Sequence, residues 1–466
     1  MELSAAKKVI NRYIMGHGDF LMKVLTAKRY YDVKNDILFR EKQKEEKNPM
    51  RNADNRIGMG FYPLLVDQKT SYMFTAPPVF DAHDKDLNQL IVNGLGDGYK
   101  TKCMELATRT SNAGIGWVHY WKDGNGDFQW AVVPSEQVIP VWDQKLNQKL
   151  LAVLRVYQEM DEETGDTYDV YEYWTEKECE TFRKRAADDV ETGLMEYPMF
   201  TDFYNAGLSD AENHMLHDYG EVPFIPFQNN ILCKSELSKI KKLIDAYDLT
   251  YSGFMNDLED IQEVILVLSN YGGEDLGEFL QNLKQYKAIK VENMGNGDNS
   301  GVSTLTIEIP VEAREKMLTI TKKAIFTMGQ GVDPDQQGLD KTSGEAMKFV
   351  YALLELKAGQ AEAFFTLGFN QLVRAILKAA GKTANNIVQT WTRTSIKNDS
   401  ELADMCSRSQ GIVSQKTILA HHPFVDDVEA EIKEIDEEKK KQEEEMDAYG
   451  GVAGFHDSGG NEGGEK

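Results

Sequence analysis

The chain has 466 residues, of which 41% are hydrophobic and 27% are charged, and its formal net charge at pH 7 is -24. This length exceeds what one hydrophobic core usually organises, so we expect several domains or one elongated, multi-part subunit. The net charge argues against a protein that grips nucleic acid tightly, because phosphate binding requires clustered lysine and arginine. Any contact with DNA must therefore be local or loose.

Cysteine usage and apolar segments exclude two further classes. The four cysteines, Cys103, Cys179, Cys233 and Cys406, are scattered and form no CxxC pair, which argues against a disulfide framework. The N-terminus lacks a continuous apolar h-region, and no run of about eighteen apolar residues occurs. We therefore expect a protein that is soluble and intracellular when made, with no membrane-spanning segment.

The first half of the chain predicts mixed α and β structure. Residues 1–48 are typical of a charged helix, and the apolar stretch 57–74 indicates a buried helix. The aromatic and β-branched segment 116–142 contains a Gly-rich turn, and two further strand-like runs flank the turn at 161–166, so two hairpins are expected. Residues 1 to about 230 are interpreted as one α+β domain.

A regular apolar stripe begins after residue 235. Its members, spaced 3,4,3,4,3,4,3, are Leu237, Ile240, Ile244, Tyr247, Tyr251, Phe254, Leu258 and Ile261. The pattern favours a core helix, although a narrow seam is also what a helix packed against one partner or against copies of itself would show. A compact α/β insert of about 50 residues follows, and then a second helix over 311–329. The insert therefore lies between two long helices.

The next segments predict a loop and a long helix. Residues 329–343 are rich in Gly, Asp, Gln and Pro, which indicates a loop. Thr342 and Glu345 form a T-x-x-E capping box that opens a helix of almost forty residues, in which a kink is expected near Gly359 or Gly368. A short strand, further helices and a Gly-rich C-terminal tail complete the chain.

No motif of the common enzyme classes is present. The chain contains no GxxxxGK[ST], HExxH or GxSxG, and its many carboxylates do not single out a general acid and base. We therefore expect no enzyme activity, no catalytic residue, no metal and no cofactor. A phosphoesterase or nuclease that uses these carboxylates is the alternative left open.

Two patterns imitate metal sites. Asp123, Asn125 and Asp127 open like a calcium loop, but the glycine and the bidentate glutamate that the loop requires are missing, so a hairpin turn is favoured. His214 and His217 are spaced like helical metal ligands but have no further ligands nearby, so surface residues are favoured.

Eight stretches of the chain share a pattern with one known family. They are AKRYYDVKNDI at 27–37, LLVDQKTSYMFTAPP at 64–78, AGIGWVHYW with the DGNG turn and VPSEQVIPVWD at 133–143, GEVPFIPFQNN at 220–230, the stretch 241–273, SGEAMKFVYALLELKA at 343–358, TRTSIKNDSEL at 392–402 and HPFVDDVEAEIKEI at 422–435. Together, in this order, they resemble the portal protein family of tailed bacteriophages, in particular the branch found in phages of Gram-positive bacteria.

The resemblance implies an α+β fold: an elongated, multi-part subunit with a wing, stem, clip and crown that assembles into a cyclic ring. The implied parts are the wing at 1–232, the first stem helix at 233–262, the clip at 263–310, the second stem helix at 311–329, the tunnel loop at 330–342, a long kinked helix and wing strand at 343–398, the helical crown at 399–447 and a disordered, acidic, Gly-rich tail at 448–466.

The resemblance also implies a function. Portal-like subunits form a ring, usually about twelve-fold, at one capsid vertex. Its channel passes double-stranded DNA during packaging and ejection. The implied partners are the chain itself as a homododecamer, double-stranded DNA, the terminase large subunit, a head-completion adaptor, and the major capsid and scaffolding proteins, with no membrane. We expect location in the virion after assembly in the host cytoplasm. The alternative is another ring-forming connector or baseplate protein without a DNA channel.

Three groups of residues receive roles from the resemblance. The tunnel-loop residues expected to line the channel are Gln330, Val332, Asp333, Asp335, Gln336, Gln337, Leu339, Asp340 and Lys341. The clip residues expected to dock partners are Glu274, Asp275, Glu278 and Lys284. The stripe from Leu237 to Ile261 is expected to pack the stem and the subunit interface. Three loop aspartates against one lysine would repel phosphates and let DNA slide.

Overall fold

The computed structural model of the chain describes ten stretches of residues. They are 1–41, 53–146, 148–200, 212–261, 265–269, 301–305, 310–335, 344–393, 399–425 and 427–450. The chain divides into two compact units. The first unit comprises residues 1–335 and 351–394, and the second unit comprises residues 336–350 and 395–466.

The mixture of helices and strands confirms the α+β class. The helices are α1 (Leu3–Tyr31), α2 (Phe61–Phe74), α3 (Lys85–Leu95), α4 (Tyr99–Ala113), α5 (Val190–Gly193), α6 (Leu237–Ile261), α7 (Val311–Gly329), α8 (Gly344–Ala379), α9 (Asp399–Arg408), α10 (Gln415–His421) and α11 (Val428–Gly450). In the part of the chain that the structure describes, none of them combines the length and apolarity needed to cross a bilayer.

Strands of the described residues form four antiparallel sheets. They are β1 (Val79–Asp81), β2 (Ile115–Lys122), β3 (Phe128–Val133), β4 (Val138–Trp142), β5 (Leu150–Met160), β6 (Thr167–Trp174), β7 (Glu178–Arg185), β8 (Met195–Glu196), β9 (His214–Leu216), β10 (Phe224–Gln228), β11 (Ile265–Ser269), β12 (Gly301–Leu305) and β13 (Val388–Thr390). The largest sheet has the order β4-β5-β6-β7-β8, with β9 also on β7. The others are β10-β2-β3, β1-β13 and β11-β12.

Local signals account for several of these boundaries. The side chain of Asp84 accepts hydrogen bonds from the backbone of Asp86 and Leu87 and so caps the start of α3. The two predicted hairpins are observed as β2–β3 and β5–β6, and the second turns at 161–166, where Gly165 has a φ of 72°.

Some predicted bounds differ from the observed ones. The N-terminal helix expected over 1–48 ends at Tyr31 and is followed by a 3-10 turn at Asp36–Phe39. The helix expected from 233 begins at Leu237, because the backbone folds into a turn in which Cys233 donates to the carbonyl of Asn230. The helix expected over 311–329 is observed at Val311–Gly329.

The main core of the first unit lies between α2, α4, α8 and the β10-β2-β3 sheet. Its centre is Phe369 of α8, which is fully buried. The rings of Phe227, Phe365 and Phe74 surround it at centroid distances of 5.1 to 6.4 Å. Since aromatic side chains bury large apolar areas, this cluster holds α8 against the sheet.

The second unit contains α9, α10 and α11. Ser414 caps α10 by accepting a hydrogen bond from the backbone of Thr417. Lys416 of α10 pairs with Glu429 of α11, with Nζ 2.5 Å from Oε1. Helix α11 runs to Gly450, so the first three residues of the tail expected at 448–466 are helical, and the rest of the tail lies outside the described residues.

Candidate functional site

The first part of the predicted stripe on α6 is buried inside the chain. Leu237, Ile240 and Ile244 are at most 3% exposed and lie in a cluster with residues of α1, α2 and α7. These three side chains stabilise the subunit itself. They are not available at the surface of the single chain for the predicted contacts between copies, which stay a prediction for the rest of the stripe.

The second part of the stripe packs against α7 and stays partly open. Tyr247, Tyr251 and Phe254 are half-buried, and Leu258 is 41% exposed. The guanidinium of Arg314 on α7 lies 5.4 Å from the centroid of the Phe254 ring. The side chain of Ile261 lies outside the described residues.

The start of the predicted tunnel loop is held by a side chain of α2. The amide of Gln68 donates from Nε2 to the carbonyl of Val332 at 2.8 Å, and its Oε1 accepts from the Val332 backbone nitrogen at 2.9 Å. Gln68 thus pairs with the loop as a neighbouring strand would. The side chain of Val332 packs partly buried against the main core, and its channel-lining role stays a prediction.

Gln330 and Gly331, the two residues before Val332, form with it what we call the base of the loop. Gln330 ends α7 in the left-handed conformation, with a φ of 54°, and its side chain accepts a hydrogen bond from Lys239 of α6 at 3.2 Å. A Cβ at Gly331 would lie 2.1 Å from Cδ2 of Leu65 and 2.8 Å from Oε1 of Gln68, so a larger residue would displace these side chains of α2. The loop therefore leaves α7 along a fixed path.

The first two acids of the loop are paired. Nζ of Lys322 on α7 lies 3.4 Å from Oδ1 of Asp333 and also forms an ion pair with Asp335. The hydrogen bond with Asp335 and the charge of Asp333 raise the pKa of Lys322. Two carboxylates against one ammonium leave a net charge of about -1, so the repulsion expected from the loop sequence is reduced. Gln336, Gln337, Leu339, Asp340 and Lys341 lie outside the described residues.

A buried charge cluster lies beside this base. It consists of Lys69 on α2, Glu236 just before α6, and Lys357 on α8, whose side chains are 1%, 10% and 8% exposed. Nζ of Lys69 donates to Oε1 of Glu236 at 2.7 Å, to Asn229 at 2.5 Å and to Ser111 at 3.2 Å. Lys357 forms an ion pair with the other carboxylate oxygen of Glu236. We call these three residues the charge node.

The charge node determines the ionisation of its members. Burial alone would raise the pKa of Glu236, but the ammonium groups of Lys357 and Lys69 outweigh burial and lower that pKa to about 2. Burial, together with the charge of Lys357, lowers the pKa of Lys69. Glu236 is therefore a carboxylate at neutral pH and the counter-charge of both lysines.

The charge node ties the loop base to the rest of the first unit. Nζ of Lys357 donates to the carbonyl of Gly329, the last residue of α7, at 3.1 Å, and to the carbonyl of Leu65 at 3.3 Å. A cation at the C-terminus of a helix also favours the helix dipole. The node thus joins α2, the start of α6, the end of α7 and α8 at the point where the loop begins.

Comparison with known proteins identifies the family. The model of the family described as phage portal protein, SPP1 Gp6-like, matches residues 10–445. The portal protein of Clostridium phage phiCD119 is 42% identical over 436 residues, which cover 90% of this chain and 93% of that protein. The chain belongs to the phage portal protein family. The portal protein of Bacillus phage SPP1 is 32% identical over 448 residues, covering 90% of this chain and 84% of that protein.

Solved structures give more distant matches to this portal-family chain. They are the neck of an empty GTA particle computed with C6 symmetry, with a TM-score of 0.44, and the neck of a native GTA particle computed with C12 symmetry, with a TM-score of 0.37. Each is 11% identical and aligns with 77% of this chain, covering 89% and 88% of the respective neck chains.

The predicted clip residues form the next group of site residues. Glu274, Asp275, Glu278 and Lys284 lie outside the described residues, and of the predicted clip the structure describes the antiparallel pair β11–β12 and Pro310, the residue before α7. Their docking role stays a prediction.

The two metal-like patterns are structural where the chain is described. Oδ1 of Asp123 accepts from the backbone of Asn125 and Asp127 at 3.0 Å, which closes the β2–β3 hairpin. His214 lies on β9 and bonds to Glu178 of β7 at 2.8 Å. Among the described residues no group of three or more His, Cys, Asp or Glu side chains is arranged to hold a metal ion.

Sequence patterns did not reveal Gln68 or the charge node. Lys69 is the only lysine of α2, and Lys357 follows Leu356 and precedes Ala358 on α8. Because lysine is rarely buried without a partner, these two positions were the available signal. Their shared partner Glu236 lies 167 residues from Lys69 along the chain, and no local spacing connects them.

Proposed function

We propose that this chain is a structural subunit of a closed ring at one capsid vertex, and that the ring's channel carries double-stranded DNA during packaging and ejection. Membership of the portal family over most of the chain supports the proposal. The structural observation that carries it is the braced base of the loop at Gln330. A loop that must contact moving DNA requires a rigid attachment, and Gln68, Lys322 and Lys357 supply one.

Exposed apolar side chains favour assembly with further copies. Met317, Ile320 and Met328 of α7 are 49% to 58% exposed. Leu356 and Leu367 of α8 are also exposed. Rows of large apolar side chains on helices usually mark contacts with another molecule. In a cyclic ring each subunit uses two different faces, and we assign these α7 and α8 surfaces to contacts with neighbouring subunits.

The channel wall would be weakly acidic. The described start of the loop leaves about one negative charge per subunit after Lys322 is counted. Repeated around a ring, this charge disfavours phosphate binding and permits sliding. The net charge of -24 agrees with passage of DNA rather than tight binding.

Deletion of residues 333–338 tests the loop's role. Because Gln68 and Lys357 hold the chain up to Val332, the shortened protein is expected to form rings of wild-type size. DNA packaging or retention is expected to fall by at least about tenfold, since the part beyond the base is lost. The measurement is packaged DNA per particle in a complementation assay. Wild-type packaging by intact mutant rings would contradict the channel role of the loop.

The proposed partners follow from this placement. The terminase large subunit and the head-completion adaptor would dock on the predicted clip, and the major capsid and scaffolding proteins would surround the ring. The protein would be a virion component at the portal vertex after assembly in the host cytoplasm.

A further inference from the structure

An extended segment, residues 53–59, runs along helix α6, and we call it the strap. Its backbone amides at every second residue donate to side chains at every fourth residue of the helix. The four bonds join Ala53 to Asp260, Asn55 to Asn256, Ile57 to Ser252 and Met59 to Asp248, at 2.9, 2.6, 3.0 and 2.9 Å. We call these four α6 residues the polar ladder.

The alternate amides of the strap fit the polar ladder because two strap residues span nearly the same length as four helix residues. Two residues of extended chain advance about 6.6 Å, and four residues of α-helix advance about 6.0 Å. Successive alternate amides of the strap therefore meet successive members of the polar ladder. The strap runs antiparallel to α6, with Ala53 near the helix end and Met59 near its middle.

The strap is attached by polar contacts rather than by a core. None of residues 53–59 is buried. Beyond the polar ladder, the side chain of Asn55 donates to Oε2 of Glu259 at 2.6 Å. Each such hydrogen bond contributes modestly to stability, and segments with few buried apolar contacts open at low cost.

The stripe residues in the part of α6 that contacts the strap are less buried than those at the start of the helix. The helix is fixed at its start by Leu237, Ile240 and Ile244, which are buried. From Tyr247 onward the stripe residues whose side chains are described are half-buried or exposed. This part is held by α7, by the strap and, at Asp248, by Asn35, whose Nδ2 donates to Oδ2 of Asp248 at 2.6 Å.

We propose that the strap is a detachable brace of α6: it opens as one unit, and its opening loosens the helix from Asp248 to Asp260 while the core of the first unit stays folded. This device does not depend on the proposed function. In a ring, it would control how firmly the predicted stem is held.

Proline substitutions in the strap test the brace without touching the helix. Proline lacks a backbone N–H but accepts an extended conformation. Ile57→Pro removes one bond to the polar ladder. Asp54→Pro alters a strap residue whose amide is not one of the four donors and serves as the control. It removes only the ion pair between Asp54 and Arg56, which lies within the strap and does not contact the polar ladder. The readout is hydrogen–deuterium exchange of the full chain in peptides covering 53–60 and 245–261, with α4 as the reference.

We expect Ile57→Pro to raise exchange in both peptides by roughly tenfold or more, with α4 unchanged, and Asp54→Pro to change either by at most about twofold. The brace is refuted if both prolines act equally, or if Ile57→Pro leaves 245–261 at the wild-type rate. Should α4 also exchange in Ile57→Pro, the variant Ser252→Ala decides. It removes that bond, together with the 3.5 Å hydrogen bond that the Ser252 hydroxyl donates to the Ile57 carbonyl, while alanine favours the helix. Wild-type exchange of 245–261 in Ser252→Ala therefore overturns the brace.

Discussion

Replacing Glu236 by glutamine is expected to lower the free energy of unfolding of the first unit by about 3–5 kcal/mol at pH 7. Glutamine keeps the shape of the side chain and one carbonyl acceptor but removes the negative charge. Lys69 and Lys357 would then be two buried ammonium groups without a counter-charge. Removing one partner of a buried ion pair lowers stability by far more than the intact pair contributes, because the remaining charge stays desolvated.

The measurement is the urea midpoint of unfolding at one protein concentration. Glu355→Gln is the control, since Glu355 of α8 also forms an ion pair but is 49% exposed, and we expect a loss below about 1 kcal/mol. The double variant Lys69→Met with Glu236→Gln is expected to recover part of the loss, because one buried ammonium is gone. Equal losses for Glu236→Gln and Glu355→Gln would show that the charge node is not a buried network.

The same variant predicts a pH dependence. The folded-state pKa of Glu236 is about 2, below its ordinary value of 4.5. A depressed carboxylate pKa stabilises the fold above the unfolded value, and that stabilisation is lost as pH falls through the folded value. The stability difference between wild type and Glu236→Gln is therefore expected to be constant above pH 4.5 and to shrink between pH 4.5 and about 2. A difference that grows in this range would contradict the assignment.

Replacing Gly114 by alanine is expected to destabilise the first unit by about 3 kcal/mol or more. Gly114 ends α4 with a φ of 84°, and a Cβ there would lie 2.2 Å from the carbonyl oxygen and 2.5 Å from the carbonyl carbon of Cys233. These are backbone atoms, so the chain leading to α6 would have to move. That movement would displace Glu236, whose backbone nitrogen donates to the carbonyl of Ser111 at 3.0 Å.

Gly126→Ala separates the two causes of this cost. Gly126 also has a φ of 84°, but nothing lies within 4 Å of its Cβ position in the β2–β3 turn. Gly126→Ala adds only the strain of the left-handed backbone conformation. We expect it to lower the free energy of unfolding by about 1–2 kcal/mol. Thermal unfolding of both variants gives the difference. Equal losses of stability in the two variants would mean that the backbone of Cys233 moves without destabilising the fold. The close packing of Gly114 against Cys233 would then not stabilise the segment before α6.

Elements with a strong local period could be predicted from the sequence. The stripe on α6, the bounds of α7 and the β5–β6 hairpin follow from spacing and turn chemistry within one segment. The partner that buries the stripe could not be predicted, because the spacing alone does not identify it. Leu237 and Ile244 are buried by their own chain, whereas Leu258 is largely open.

Contacts between distant segments could not be predicted. Gln68 and Val332 are 264 residues apart, and Ile57 and Ser252 are 195 residues apart. The strap has three polar side chains, three apolar side chains and one glycine, and none of them is buried, so its extended form depends on the polar ladder that it meets. The pairing of Asp333 and Asp335 with Lys322 likewise changes the charge expected for the loop, although each residue was visible in the sequence.

Single-particle electron microscopy of the purified full-length protein tests the central claim most directly. We expect closed rings with an axial opening wide enough for a DNA duplex. We also expect that Ile320 of α7 and Leu356 of α8, exposed in the single chain, are covered at the boundary between subunits. Monomers, open filaments, or rings whose centre is closed to a duplex would contradict it.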